Sequence, residues 1–194
     1  MTTTETTSAE EAPDSLAERV NNRSRRPSSD AFREFMGSQW GPRPDPGITR
    51  SAVADYLPAR ATAAGEPFAG ERLVIPAGTY KVRSNDCTYR FRAYTAFAHL
   101  SGLGQEREPD SVIVLEPLPE GGHEAVLYFK PRTSRSSQEF YYDSRYGEFW
   151  VGARPSLEEV SAETGLRCEH IDTLRDALAK DAGVVRLRVV RNVD

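Results

Sequence analysis

The densest chemistry in the chain lies in Lys81-Val-Arg-Ser-Asn-Asp-Cys-Thr-Tyr-Arg-Phe-Arg92. Four cations, one carboxylate, one thiol and two aromatics share a stretch with neither helical nor strand periodicity. Residues of these types on a loop held by a scaffold make a binding-site candidate. Their plainer reading is local ion pairing of Arg83, Arg90 and Arg92 with acids such as Asp86. A Cys87 thiolate would need a base or cation beside it, and His99, Arg83 and Arg90 are the available ones. No nucleophile signature surrounds that cysteine, and packing is the ordinary role of a lone Cys. Cys168-Glu-His170 offers two metal-ligand types on one strand face, without the second Cys/His pair of a four-coordinate site. His123-Glu124 reads as a solvated pair in a hairpin turn. Only three histidines exist, which limits acid–base and metal chemistry. GxSxG, GxxxxGK[ST], HExxH and a helix-opening GxGxxG are all missing.

The elements that would position these residues form one domain. The 194 residues fit a single unit of ordinary size plus a tail. Net charge is −4, with 25 Lys+Arg against 29 Asp+Glu, which argues against a protein built on phosphate neutralisation, so no nucleic acid is expected. Apolar runs of four or five residues are too short to span a membrane. The first residues lack a basic n-region and an apolar h-region, so the two cysteines read as reduced thiols of a cytoplasmic protein. Residues 1–46 are polar and proline-rich and read as a disordered or loosely docked leader. Within it Phe32, Phe35, Met36 and Trp40 follow helical spacing, so one part can dock. The Arg23-Ser-Arg-Arg26 cluster reads as a solvated charge run.

Residues 47–194 read as the folded domain. A helix is expected over 48–64, broken or restarted at Pro58. Leu73-Val-Ile75 is a buried strand. Ser111 to Glu116 and Glu124 to Phe129 are central strands, apolar at nearly every position and joined by a turn-rich loop. Ser156-Leu-Glu-Glu159 fits a capping box on a helix that closes at Gly165. A strand near 166–171, a helix capped by Asp172 and a strand over 184–190 complete the pattern. The alternation predicts an α/β fold, a mixed β-sheet of five or six strands with helices on both faces.

At the loaded segment the chain resembles a known family. Arg83-Ser-Asn-Asp-Cys-Thr-Tyr-Arg-Phe-Arg92, Phe97-Ala-His-Leu-Ser-Gly102 and Glu108-Pro-Asp-Ser-Val-Ile-Val-Leu115 look like its R-S-x-D, Y-x-F/Y-R, L-T-G and E-P-D/E-x-V-L-V-L motifs. Leu127-Tyr-Phe-Lys-Pro-Arg132 and Glu148-Phe-Trp-Val-Gly-Ala-Arg154 look like its L-F-x-x-R and E-I-W-x-G-R. The family is the N-terminal domain of Xaa-Pro aminopeptidases (aminopeptidase P, with a creatinase/prolidase-type N-terminal domain), and the likeness runs from about Phe68 to Gly165. Two departures stand out. Small residues in Ala96-Phe-Ala-His-Leu100 replace the family's tyrosines, and Pro131 to Gly147 looks like an insertion. Glu139-Phe-Tyr-Tyr142 is a rival match for E-I-W, but Glu148, Gly152 and Arg154 fit together around Trp150.

The resemblance implies a two-part enzyme. A C-terminal "pita-bread" domain would carry a dinuclear manganese (Mn2+) site whose bridging hydroxide cleaves the bond before proline. This chain offers no such carboxylate and histidine set, and it ends at Val193-Asp194 soon after its last strand. We therefore expect the non-catalytic N-terminal domain, inactive alone, with the catalytic domain absent and with no catalytic residue, metal ligand or bound cofactor of its own. Its partners would be that catalytic domain, neighbouring subunits and a peptide with proline second. Asp86 is expected near a neighbouring subunit's active site, and Trp150 where the substrate proline sits. Arg83, Tyr89, Arg90 and Arg154 complete the implied substrate-pocket or inter-subunit set. An aromatic face suits proline, whose ring is apolar and whose nitrogen carries no hydrogen. The alternative is a stand-alone protein-interaction module that has lost the peptidase half.

Overall fold

The computed structural model describes residues 29–85, 87–191 and 193. Seven strands occur among them: β1 (Arg72–Pro76), β2 (Val82–Ser84), β3 (Cys87–Thr88), β4 (Val112–Pro117), β5 (His123–Phe129), β6 (Arg167–His170) and β7 (Leu187–Val189). Seven α-helices accompany them: α1 (Asp30–Gly37), α2 (Leu57–Gly65), α3 (Thr95–Ser101), α4 (Gln138–Tyr142), α5 (Glu148–Val151), α6 (Leu157–Thr164) and α7 (Leu174–Ala179). The main sheet runs β6-β5-β4-β1-β7, and β2 pairs with β3 in a separate hairpin. β4 is antiparallel to both neighbours, whereas β6 and β7 join in parallel, so the sheet is mixed.

Period-two alternation divides the strand side chains between two cores. Leu73, Ile75, Ile113, Leu115, Leu127 and Phe129 pack with Leu57 and Ala61 of α2, Phe97 and Leu100 of α3, and Val160 of α6. Val74, Val114, Val126 and Tyr128 face the other way, against Leu174, Ala177 and Leu178 of α7. The molecule is α/β, with helices on both faces. A fully buried Arg72 ties the layers, donating to Glu116 on β4 at 2.8 Å and to Asp181 beyond α7 at 2.6 and 2.7 Å.

Several boundaries differ from the sequence expectation. The helix expected over 48–64 begins only after a 3-10 turn at Ala54–Tyr56, because Ser51 N–H is engaged by the Glu163 carbonyl at 2.8 Å. Pro58 lies in the first turn of α2, where its missing N–H costs nothing, so it starts the helix and does not break it. His170, not Asp172, caps the next turn, accepting from Asp172 N–H at 3.1 Å. The capping box of α6 forms as expected, and Gly165 closes that helix in the left-handed region. His123 is buried rather than solvated. Its Nε2 lies 2.8 Å from the Glu71 carbonyl and its ring fills the space beside Gly65, where a Cβ would collide with it.

Of the leader expected over 1–46, residues 1–28 and with them Arg23-Ser-Arg-Arg26 lie outside the described residues. Residues 30–37 form α1, and the chain beyond it lies on α4. Phe32 meets Tyr141 edge-on at 5.7 Å, and Trp40 meets Phe140 at 5.0 Å. No helix among the described residues is long and apolar enough to cross a membrane.

Candidate functional site

Glu108-Pro-Asp110 is the joint of the site. Glu108 and Asp110 have φ of 53° and 61°, a region that side chains with a Cβ rarely occupy. Both are held there, Ser111 Oγ donating to the Glu108 carbonyl at 2.7 Å and Asp110 N–H to the Gly78 carbonyl at 2.9 Å. The turn aims both carboxylates at the segment 145–154. Glu108 pairs with Arg154 at 3.1 Å, with side chains 6% and 9% exposed, and Arg154 also donates to the Lys130 carbonyl at 2.7 Å. Burial pushes the Glu108 carboxyl above its ordinary range, and the Arg154 charge offsets only part of that. Asp110 accepts from Arg145 Nε at 2.8 Å and from the Tyr146 hydroxyl. Lys130, Arg154 and Arg145 surround the Tyr146 ring at 4.7, 5.1 and 5.6 Å from its centroid. Burial, followed by the bond to Asp110, raises the Tyr146 phenol to about 12.

This frame presents α5. Gly147 opens it at a point where a Cβ would press on the Glu139 and Asp143 carbonyls, so only glycine fits. Glu148 accepts Arg154 N–H at 3.0 Å and Arg43 Nη1 at 2.7 Å. Gly152, with φ of 84°, ends the helix. The short helix lifts Phe149 and Trp150 into solvent, 53% and 60% exposed, with ring centroids 6.3 Å apart. The indole N–H of Trp150 donates to the Tyr141 carbonyl at 2.7 Å, which fixes the ring while leaving it exposed.

Phe149 lines a cleft of about 970 Å³ together with Trp40, Tyr80, Glu106, Arg107 and Glu163. Its charges neutralise one another: Arg107 bonds Glu163 at 2.7 and 2.8 Å, Arg132 pairs with Glu159, and Arg43 with Glu148. The β2–β3 hairpin follows Tyr80 directly. Arg83 and Tyr89 are exposed, and Arg90 is exposed while paired with Glu106 at the cleft.

The residues expected from the sequence therefore divide. Trp150, Arg83, Tyr89 and Arg90 face solvent; Arg154 faces inward to Glu108; Asp86 lies outside the described residues. Arg90 pairs with Glu106, outside its own segment. Cys87 is exposed, and Cys168 is half-buried with its thiol pushed up to about 12 by burial, the reverse of an activated nucleophile. Glu124 pairs with Arg167 at 3.0 Å. Among the described residues no group of three or more His, Cys, Asp or Glu is placed to hold a metal ion, so they do not fit a dinuclear centre. Sequence reasoning passed over Asp110, Tyr146 and Arg43. The first lies in the quoted E-P-D motif, whereas nothing local marks the other two.

Comparison with known proteins places this geometry. The family model "Aminopeptidase P, N-terminal domain" matches residues 56–186. Xaa-Pro aminopeptidase 2 of Streptomyces coelicolor is 40% identical over 160 residues, which cover 82% of this chain and 33% of that protein. Xaa-Pro aminopeptidase 1 of the same organism is 42% identical over 167 residues, covering 86% and 32%. The chain thus spans about a third of the length of these relatives. Among solved structures, aminopeptidase P from E. coli with the inhibitor Pro-Leu superposes with a TM-score of 0.58 at 19% identity, over 73% of this chain and 30% of that one. Proline aminopeptidase P II from Yersinia pestis gives 0.51 at 24%, over 64% and 26%. Sharing the sheet of these structures and matching the family model over most of its length, the chain belongs to the aminopeptidase P N-terminal domain family.

Proposed function

We propose that this domain acts joined to a metal-dependent peptidase domain in a cytoplasmic, oligomeric Xaa-Pro aminopeptidase that releases the residue preceding proline, with manganese held by the catalytic part. In this reading the domain is itself non-catalytic. It lines the substrate pocket with Trp150 and contacts a neighbouring subunit through the segment 81–92, whose sequence includes Arg83, Asp86, Tyr89 and Arg90. The observation that carries the reading is the state of Trp150. Its one N–H is already satisfied by the Tyr141 carbonyl, so the exposed ring offers shape and a π face but no donor. That is the complement of a proline ring, which has apolar methylenes and no N–H to bond. Arg154 belongs to the same reading as a support, since its pair with Glu108 fixes the far end of α5.

The experiment replaces the N-terminal domain of Streptomyces coelicolor Xaa-Pro aminopeptidase 2 with this chain and assays Xaa-Pro peptides with manganese. The chimera should turn over. Trp150→Ala should raise KM about tenfold with kcat little changed, the loss expected for one aromatic contact made equally in ground and transition states. A Trp150→Ala chimera with unchanged kinetics would remove Trp150 from the pocket.

A further inference from the structure

The segment ahead of the family-matched region is fastened to the element that carries Trp150. Arg43 grips the first residue of α5 from 105 residues away, Nη1 donating to Glu148 Oε1 at 2.7 Å and Nη2 lying 2.6 Å from Oε2, with a further bond from Nη2 to the Thr133 carbonyl at 3.2 Å. The Glu148 side chain is only 7% exposed, and Arg43 holds its carboxyl below the ordinary range against the opposing effect of burial. A second connection runs through aromatic contacts. Phe32 on α1 packs edge-on against Tyr141, whose carbonyl is the acceptor for the Trp150 indole N–H. Trp40 packs on Phe140 and lies under the Arg135 guanidinium, which donates to the Gly41 carbonyl at 2.6 Å. The 29–47 segment therefore holds the two things that fix the Trp150 ring: the start of its helix and the residue that supplies its hydrogen-bond acceptor.

We propose that residues 29–47 form a strap that orients Trp150, with Arg43 as a positioning residue acting through Glu148 and Phe32 acting through Tyr141. A planar guanidinium suits this task because its separate N–H donors reach the Glu148 carboxylate and the Thr133 carbonyl at once, which fixes direction as well as distance. The consequence for proline recognition rests on the function proposed above. The positioning itself does not, because it can be read on the indole in this chain alone.

The test uses the full chain, whose two indole resonances from Trp40 and Trp150 are told apart with a Trp40→Phe variant used for assignment alone, and follows hydrogen exchange of the Trp150 N–H by NMR. In Arg43→Ala the exchange should accelerate about tenfold while β4 and β5 amides keep their protection, the mark of local rather than global opening. Arg43→Lys, which keeps the charge but cannot reach Glu148 and the Thr133 carbonyl together in the same geometry, should fall between the two. Phe32→Ala, which leaves the buried carboxylate paired, should also accelerate exchange. Unchanged indole exchange in Arg43→Ala and Phe32→Ala would overturn the proposal. So would equal acceleration at the indole and across β4 and β5 in all three variants, because the strap would then support the whole fold without a particular hold on Trp150. Failure of the chimera kinetics with a positive exchange result would reject the pocket role and keep the strap; the opposite outcome would do the reverse.

Discussion

Arg154 and Glu108 illustrate how one pair of residues is pulled between two roles. The resemblance makes Arg154 a substrate-pocket or inter-subunit residue, yet its guanidinium is spent on a carboxylate even more buried than itself. Removing one partner of such a pair leaves the other charge uncompensated in a poor solvent. Arg154→Met, which leaves the Glu108 carboxylate buried without its cation, should therefore destabilise the domain by about 3 kcal/mol at neutral pH, measured by urea unfolding. The charge state of these groups also sets the acid limit. Glu148, Glu159 and Asp110 are held below their ordinary values of 4.5, 4.5 and 3.8, so each contributes stability above its unfolded value and loses it as pH falls through the folded one. Glu108 has the opposite sign, because its folded value lies above 4.5 and protonation relieves the cost of burying the charge. The three depressed groups outnumber it, and a thermal scan against pH should show the melting temperature falling from about pH 4.5 downward. A melting temperature that rose on acidification would mean that Glu108 dominates.

At the scale of elements, local signals survived folding and distant ones did not show. β4 and β5 were legible because nearly every position is apolar, which only a strand covered on both faces requires. α6 was legible because Ser156, Glu159 and Gly165 state both its ends within ten residues. Ser156→Ala should cost about 1 kcal/mol, read as a lower urea midpoint with unchanged slope. His123 misled because a histidine after Gly121-Gly122 looks like a turn residue. Its true environment is made by Gly65 and Glu71, more than fifty positions earlier. Gly65 itself has ordinary helical φ, so its side-chain-free state records close approach and not backbone freedom. The strap hid for the same reason. Arg43 stands in a proline-rich stretch whose composition predicts disorder, and its reason for order, Glu148, is 105 residues away. The aromatic frame around Tyr146 is assembled from three elements and left no spacing to read.

On the scale of the whole molecule, the domain has the makings of a scaffold that displays groups on its surface. Its two cores are filled by aliphatic and aromatic residues, its buried ions are paired within the domain, and its described residues lack a metal-binding group. The groups turned outward include Phe149, Trp150, Tyr89 and Val82, together with Leu187 and Val189 on the edge strand β7. Exposed apolar side chains in such number favour a covering partner, since burying each one returns roughly 25 cal/mol per Å² of apolar surface. Two consequences separate a peptidase subdomain from a stand-alone interaction module. The purified chain, assayed with manganese on an Xaa-Pro peptide, should show no turnover. Mixed with a separately produced catalytic domain of Streptomyces coelicolor Xaa-Pro aminopeptidase 2, it should bind and raise Xaa-Pro hydrolysis above that of the catalytic domain alone. The gain should be lost in Trp150→Ala without loss of binding, because one exposed ring contributes little to a large interface but much to a small pocket. Binding without any gain in hydrolysis would favour the module, and turnover by the chain alone would reject both readings.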